Sequence, residues 1–407
     1  MGHYSGFLGI AAILGLALFF SENRQRISLR LVLYGLSLQV GFAFFILKTP
    51  IGQPFFDFFD RAIRQVLEFA DQGARFVFKS FASGEMEAPL VNIAFSVLPT
   101  LIFFSALMSV LYHLGVMQWV IGWIAKLMQK TLKTSGAETL SVAANIFIGQ
   151  TEAPLLIRPF LADMTRSELM AVMTGGFATI AGGVMAIYVA MLSHIPGIAG
   201  HLMAASIMNA PAALVIAKMI CPETAQSTTS GTIPVSPESP HVNLLEAVTV
   251  GAADGLKLAL NVAAMLIAFV ALVALLNALL GFIGLDLQSL LGYLFRPLAW
   301  LMGVPWQEAG IVGGLLGQKM VLTEMLAYAN LSEIIKATPN ALSAHSQIIA
   351  TYALCGFANF ASIGVQIGGT GSLVPERQKD LAQLGMKAML AATLANCLSG
   401  TVAGLLL

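Results

Sequence analysis

Gly149-Gln150-Thr151-Glu152-Ala153-Pro154 is the stretch on which the reading of this chain turns. It sets an amide, a hydroxyl and a carboxylate into apolar sequence. The apolar run before it, Thr139 to Ile148, is about half of the ~20 residues that a lipid-crossing helix needs. A run that short enters the membrane and turns back. Non-helical backbone at that depth persists only where protein or a watery cavity covers it, and a carboxylate there is a candidate for function.

The rest of the chain places this turn in a polytopic membrane protein. Of 407 residues, 57% are apolar and 10% charged, against the roughly 25% charge of a soluble domain. Lys plus Arg (21) equals Asp plus Glu (21), so no basic excess points to nucleic acid. Cys221, Cys355 and Cys397 lie far apart in mostly apolar sequence, which argues against a disulfide framework or a zinc site. Arg24, Arg26 and Arg30 follow the first apolar run instead of preceding it, so that run is read as a retained span, not a cleaved leader.

Apolar segments near 5–20, 30–47, 89–112, 168–192, 198–220, 257–284, 345–370 and 384–406 are each long enough to cross, and two shorter broken segments lie near 136–165 and 306–335. The expected fold is therefore all-α, with eight transmembrane helices, two re-entrant helical hairpins in an inverted repeat, and interfacial helices. Positive charges place Arg24, Arg26 and Arg30 in the cytoplasm, and alternation adds Lys126, Lys130 and Lys133, Arg158 and Arg166, and Arg377, Lys379 and Lys387. Both termini then lie outside.

The organisation expected is 1–88 as peripheral spans with an interfacial helix, 89–135 as a scaffold span with a second one, and 136–220 as the first hairpin repeat. A linker, scaffold span and interfacial helix fill 221–305; the second hairpin repeat is 306–370 and the last span 371–407. Between 53 and 83, Phe55, Phe59, Ile63, Val66, Phe69 and Ala70 recur at helical spacing, either as an oligomer contact or as a lipid-edge helix. Met117 to Leu132, with Trp119 and Trp123, repeats the pattern, and Ser135-Gly136-Ala137-Glu138 resembles a capping box that would start the first hairpin.

Gly176-Phe177-Ala178-Thr179-Ile180-Ala181-Gly182 resembles Gly356-Phe357-Ala358-Asn359-Phe360-Ala361-Ser362, each in a span directly after a broken segment. The broken segments share Gly149-Gln150 with Gly317-Gln318, and Thr151-Glu152 with Thr323-Glu324. Inverted repeats with interrupted helices are the mark of secondary transporters, whose substrate and ion sites lie near the midplane. Carboxylates, amides and hydroxyls at the tips suit a neutral ligand rich in hydroxyls and ring nitrogens. Asn359 and Ser362 add donors and acceptors if helical, and Phe357 or Phe360 supplies an apolar wall. Lys319, the basic residue between Gln318 and the Thr323-Glu324 pair of the second broken segment, is expected to neutralise Glu324 or Glu308. For a cation, Asn145 and Thr179 offer side-chain oxygens beside carbonyls freed by interrupted helices.

These residues resemble the concentrative nucleoside transporters. The likeness is carried by the 149–154 stretch, Asn209-Ala210-Pro211-Ala212, Thr323-Glu324, Cys355-Gly356-Phe357-Ala358-Asn359-Phe360, Gln366-Ile367-Gly368-Gly369 and Val374-Pro375-Glu376-Arg377, and it spans roughly 90 to 406. It implies a homotrimer in membrane lipid that takes up nucleosides by an elevator-like motion coupled to sodium or protons, with no organic cofactor. Gln150, Thr151 and Glu152 match nucleobase-facing positions; Glu324, Asn359 and Ser362 match ribose contacts; Phe357 and Val184 line the pocket. Asn145 and Thr179, with the Ile148 and Ile180 carbonyls, match the sodium site. Relatives carry Asn-Glu-Phe where this chain has Thr323-Glu324-Met325, and often serine at Thr179. The short N-terminal region favours a bacterial inner membrane. A hairpin carrier for another small polar metabolite stays open as a rival. An intramembrane enzyme using Glu152 and Glu324 lacks any HExxH, GxSxG or phosphate-loop motif.

Overall fold

A computed structural model describes residues 2–50, 52–77, 98–229, 242–282 and 284–407, and every regular element among them is helical. The first helices are α1 (Gly2–Phe19), α2 (Leu29–Lys48) and α3 (Gly52–Val77). Ser28 starts α2 by accepting from Leu31 N–H at 3.3 Å. α3 realises the expected amphipathic helix as far as Val77; positions 78–83 lie outside the described residues.

α4 (Leu98–His113) is bent by 76° from α5 (Val116–Leu132), and Gly115 makes the corner at φ +77°, where a side chain would be strained. α5 buries Met117, Ile121, Met128 and Leu132 and exposes Trp119 and Trp123, as a helix lying in the membrane plane should. Positions 89–97 of the expected third span, like 230–241 of the linker, lie outside the described residues.

The first hairpin starts with α6 (Gly136–Ala144), where Ser135 N–H donates to Glu138 Oε1 at 2.8 Å as the capping pattern predicts. It turns through 145–152 and returns as a 3-10 stretch, Ala153–Phe160, in which Pro154 fits the first turn and the interior Pro159 withholds a donor that an α-helix would use. α7 (Arg166–Ala178), α8 (Gly182–Met191) and α9 (Ile198–Ile220) follow. The second half runs α10 (Leu244–Gly281), α11 (Leu287–Leu301), the hairpin pair α12 (Trp306–Val321) and α13 (Glu324–Ala337), then α14 (Ala344–Leu354), α15 (Phe360–Leu373) and α16 (Gln378–Leu406).

Leu29–Lys48, Arg166–Met191, Ile198–Ile220 and Pro375–Leu406 are each long and apolar enough to cross a membrane. Only 33% of the α2 window is buried against 94% for α9, so α9 is central and α2 peripheral. Both glycine-containing spans depart from the expectation of continuous helices. The 168–192 segment breaks at Thr179–Ala181, between α7 and α8, while the 345–370 segment breaks at 355–359, between α14 and α15. Their composition stays apolar through both breaks, and side chains from other helices take up the freed carbonyls. The two similar strings also occupy different places. Gly176-Phe177-Ala178 closes α7, whereas Gly356-Phe357-Ala358 forms the second break itself.

α10 crosses α4 through small residues. A Cβ at Gly251 would lie 2.8 Å from Ala106 Cα, and one at Gly255 would lie 2.7 Å from Ile102 Cα, the close approach that a small-xxx-small pair allows in lipid. The basic connections gather at one end of the bundle. Glu22 meets Lys387 Nζ at 2.6 Å and Arg166 Nη2 at 3.3 Å, and Arg377 Nη1 donates to the Ala162 and Met164 carbonyls at 2.7 Å. Burial alone would raise the Glu22 carboxyl, yet the Lys387 and Arg166 hydrogen bonds and charges hold it below the ordinary carboxylate range. All three cysteines are buried and unpaired.

Candidate functional site

A cavity of about 220 Å³ lies where the hairpin tips meet the two helix breaks. Its wall includes every residue expected to touch substrate: Gln150, Thr151 and Glu152 from the first tip, Val184 after the first break, Glu324 from the second tip, and Phe357, Asn359 and Ser362 at the second break. It falls below the roughly 300–1,000 Å³ of drug-sized sites, so it suits a small metabolite. Larger cavities of about 660 Å³, beside Arg26, Arg30 and Lys133, and about 380 Å³, between α11 and α12, do not join the two hairpins.

The two tip carboxylates differ. Glu152 is exposed to the cavity mouth and folds back over Gly149, where any Cβ would strike its carboxylate. Glu324 is buried at the first turn of α13, capped by Thr323, where the positive end of the helix favours an anion. Its Oε1 accepts from Tyr188 Oη at 2.8 Å and its Oε2 from Asn359 Nδ2 at 2.9 Å. A carboxylate has about four lone-pair positions, so each oxygen keeps one for a ligand hydroxyl. Asn359 precedes α15 instead of sharing a helical face with Ser362; its Oδ1 caps the helix by accepting from Ser362 N–H at 2.8 Å. Phe357 faces the cavity, and Phe360 faces outward with 46% of its surface exposed.

Residues that the sequence pattern left without a role complete the site. Buried Gln366 on α15 donates to Gln150 Oε1 and to Met173 O, both at 3.1 Å. Thr151 packs against Gly369, so the Gln366–Gly369 stretch latches the first tip. Asn209 Nδ2 donates to the Ala178 and Cys355 carbonyls at 2.8 Å, and Asn396 Nδ2 donates to Ala178 O at 2.7 Å. Polar side chains in otherwise apolar spans are the signal that marks Tyr188, Asn209, Gln366 and Asn396. Lys319 meets its expectation in part: its charge acts through space on the Glu324 carboxyl, without a direct ion pair. Its ammonium donates directly to Ala353 O at 3.0 Å and Asn396 Oδ1 at 2.6 Å, and Glu308 accepts from Ser343 N–H and Oγ instead.

The residues expected to hold a cation come from two adjoining stretches. Gly182 N–H donates to Phe147 O at 2.9 Å, which lays the 145–148 turn beside the first break. Asn145 ends α6 and donates through Nδ2 to Ser141 O at 3.0 Å, but its buried Oδ1 has no partner among the described residues. Thr179 Oγ1 donates to Gly175 O at 2.9 Å, so its lone pairs are the part left for a ligand. A buried oxygen without a donor is costly alone and fits a hard cation.

Three family descriptions match the chain: Na+ dependent nucleoside transporter N-terminus over residues 8–81, Nucleoside recognition over 94–195, and Na+ dependent nucleoside transporter C-terminus over 201–404. An uncharacterized transporter of Haemophilus influenzae is 44% identical, covering 100% of this chain and 98% of that protein. The sodium/nucleoside cotransporter 1 of Rattus norvegicus is also 44% identical over 98% of this chain, which spans 63% of that longer protein. Among solved structures, CNTnw in an inward-facing substrate-bound state superposes with a TM-score of 0.92 at 41% identity, covering 100% of this chain and 98% of that one. An outward-facing CNTnw variant gives 0.93 at the same identity and coverage, and intermediate states of that protein also match.

Proposed function

The chain belongs to the Na+ dependent nucleoside transporter family, and from that premise we propose that it imports nucleosides by symport with sodium. The observation that carries the reading is the buried Glu324 carboxylate, held by Tyr188 and Asn359 in a cavity shared by both hairpins, beside the unpartnered Asn145 Oδ1. Glu324, Asn359 and Ser362 receive the ribose hydroxyls. Gln150, Thr151 and Glu152 face the nucleobase, while Phe357 and Val184 exclude water. Sodium is held by Asn145 Oδ1, Thr179 Oγ1 and the Ile148 and Ile180 carbonyls.

Coupling follows from adjacency. Asn145 and Gln150–Glu152 belong to one tip, so a cation that orders the 145–148 turn also sets the substrate-facing side chains, and each ligand favours the other. One charge moving inward down 100 mV supplies about 2.3 kcal/mol, roughly fifty-fold accumulation before any sodium gradient is counted. The hairpin repeats at 136–220 and 306–370 carry the site past a scaffold built on α4 and α10 in an elevator-type motion. The protein works as a homotrimer in a bacterial inner membrane with the basic end cytoplasmic and both termini outside. It performs no chemistry on its substrate.

Equilibrium uridine binding to the detergent-solubilised protein, titrated in sodium and in choline at equal ionic strength, tests the assignment. Tight binding in sodium that weakens at least tenfold in choline is expected; equal binding in both would overturn the sodium assignment.

A further inference from the structure

The cavity of about 660 Å³ at the basic end of the bundle has no part in the proposed transport cycle. It lies between the start of α2, the end of α5, the start of α6 and the 223–227 segment after α9. Its two sides differ in charge. On the inner side Lys218 meets Glu138 at 2.8 Å and Glu223 at 3.3 Å and donates to Ser167 Oγ at 3.0 Å. That cation is spent, and one carboxylate charge is left over as an acceptor for hydroxyls, beside Thr134, Ser135 and Gln226. On the outer side stand Arg26, Arg30 and Lys133, all exposed, and none pairs with a carboxylate among the described residues. Arg30 lies with its guanidinium over the Tyr34 ring, 5.2 Å from the centroid, a contact that uses the face of the group and leaves its N–H donors for a ligand.

Lys133 bears a further mark of the site. It caps α5 at φ +55°, the one non-glycine among the described residues in the left-handed region, at a position where glycine is the relaxed choice. The chain accepts that strain and keeps a cation. The cavity also opens beside lipid. α2 is peripheral, with Leu29, Leu33 and Tyr34 exposed, and α5 lies in the membrane plane with Trp123 and Leu127 exposed. A ligand seated here has a headgroup to place among cations and hydroxyls, and apolar chains to lay along two helices that face lipid. A soluble anion would use only the first. Basic pockets between spans on the cytoplasmic side suit anionic lipid headgroups for this reason.

We propose that this cavity binds an anionic phospholipid with a hydroxylated headgroup, its phosphate on Arg26, Arg30 and Lys133 and its hydroxyls towards the Glu138 and Glu223 side. The bound lipid fastens the end of α5 to the base of the first hairpin. The site is independent of the substrate and ion assignments.

To test it, delipidated protein in detergent is titrated with phosphatidylglycerol, with phosphatidylcholine and with soluble glycerol phosphate. Native mass spectrometry reads the lipid bound, and thermal melting is followed in parallel. Wild type is expected to prefer phosphatidylglycerol over phosphatidylcholine by about tenfold and to melt higher in its presence. Glycerol phosphate should leave the melting unchanged. Arg26→Gln, Arg30→Gln and Lys133→Gln should each weaken phosphatidylglycerol binding about fivefold, as the loss of one basic side chain near an anionic leaflet does. Lys126→Gln/Lys130→Gln removes two exposed cations of α5 that lie outside the cavity and should bind as wild type does. Lys133→Gly separates charge from strain: it should melt higher than wild type without lipid, yet gain less from phosphatidylglycerol. Equal binding of the two lipids would overturn the proposal. So would glycerol phosphate that stabilises as well as the lipid, since the site would then serve a soluble anion. An equal loss in Lys126→Gln/Lys130→Gln would overturn it too, by reducing the cavity to part of a diffuse attraction.

Discussion

Replacing Glu324 with glutamine tests the substrate assignment at its most constrained atom pair. The amide can keep both protein contacts, with its oxygen accepting from Asn359 Nδ2 and its nitrogen donating to a Tyr188 hydroxyl rotated to accept, so the fold should survive. What it loses is the charge and one acceptor oxygen. Hydrogen bonds to an ionised group contribute about 1.5–3 kcal/mol each, so uridine should bind about 10- to 150-fold more weakly. The loss should fall on the hydroxyls. A site built to hydrogen-bond them rejects analogues that lack them, and Glu324→Gln should therefore narrow the gap between uridine and 2′,3′-dideoxyuridine. Calorimetric titration of both ligands into both proteins in saturating sodium measures this. Wild-type uridine affinity in the variant, or an equal loss for the dideoxy analogue, would refute the placement of ribose on Glu324.

Asn145→Ala removes the unpartnered oxygen and should raise the sodium concentration for half-maximal uptake by tenfold or more with little change in fold; a sodium titration of uptake that matches wild type would exclude Asn145 from the ion site. Tyr188→Phe frees Glu324 Oε1 of a 2.8 Å donor and should weaken binding by ~1–3 kcal/mol, and in a double-mutant cycle with Glu324→Gln the two effects should be non-additive. Gln366→Ala unlatches Gln150 and should raise KM about 2- to 12-fold, as the loss of a neutral hydrogen bond does, without moving the sodium curve. Gly356→Ala forces a Cβ to within 2.6 Å of Ala178 O in a conformation that only glycine adopts easily, so it should lower Tm and uptake together; wild-type melting would show that the second break relaxes freely.

The hairpin tips were legible because polar groups in apolar sequence are expensive and therefore informative. Gln150, Thr151, Glu152 and Glu324 meet in one cavity for that reason, and the Ser135–Glu138 cap lies where its spacing places it. The breaks inside the two glycine-containing spans were hidden. Thr179 is not a helix breaker, and Gly356, though it takes φ +144° in the second break, is one of many glycines in apolar sequence; amide donors on α9 and α16 that reach across the bundle take up the freed carbonyls. Tyr188 and Glu324 are 136 positions apart, so no local pattern pairs them. The direct partners of Lys319, a carbonyl in the last turn of α14 and the Asn396 amide, carry no local sequence signal, although the Glu324 charge that acts on it does. The interior Pro159 is the one sequence signal against an α-helical return arm in the first hairpin.

Radiolabelled uridine uptake into proteoliposomes, with an inward sodium gradient compared against an inward proton gradient in sodium-free buffer, tests the central claim most directly. Sodium-coupled nucleoside import predicts accumulation above equilibrium with sodium alone, abolished when the gradient is collapsed. Accumulation driven by protons without sodium would contradict the Asn145 and Thr179 ion site and shift coupling to Glu152 and Glu324, and a folded protein that accumulates neither uridine nor purine nucleosides under either gradient would contradict the account as a whole.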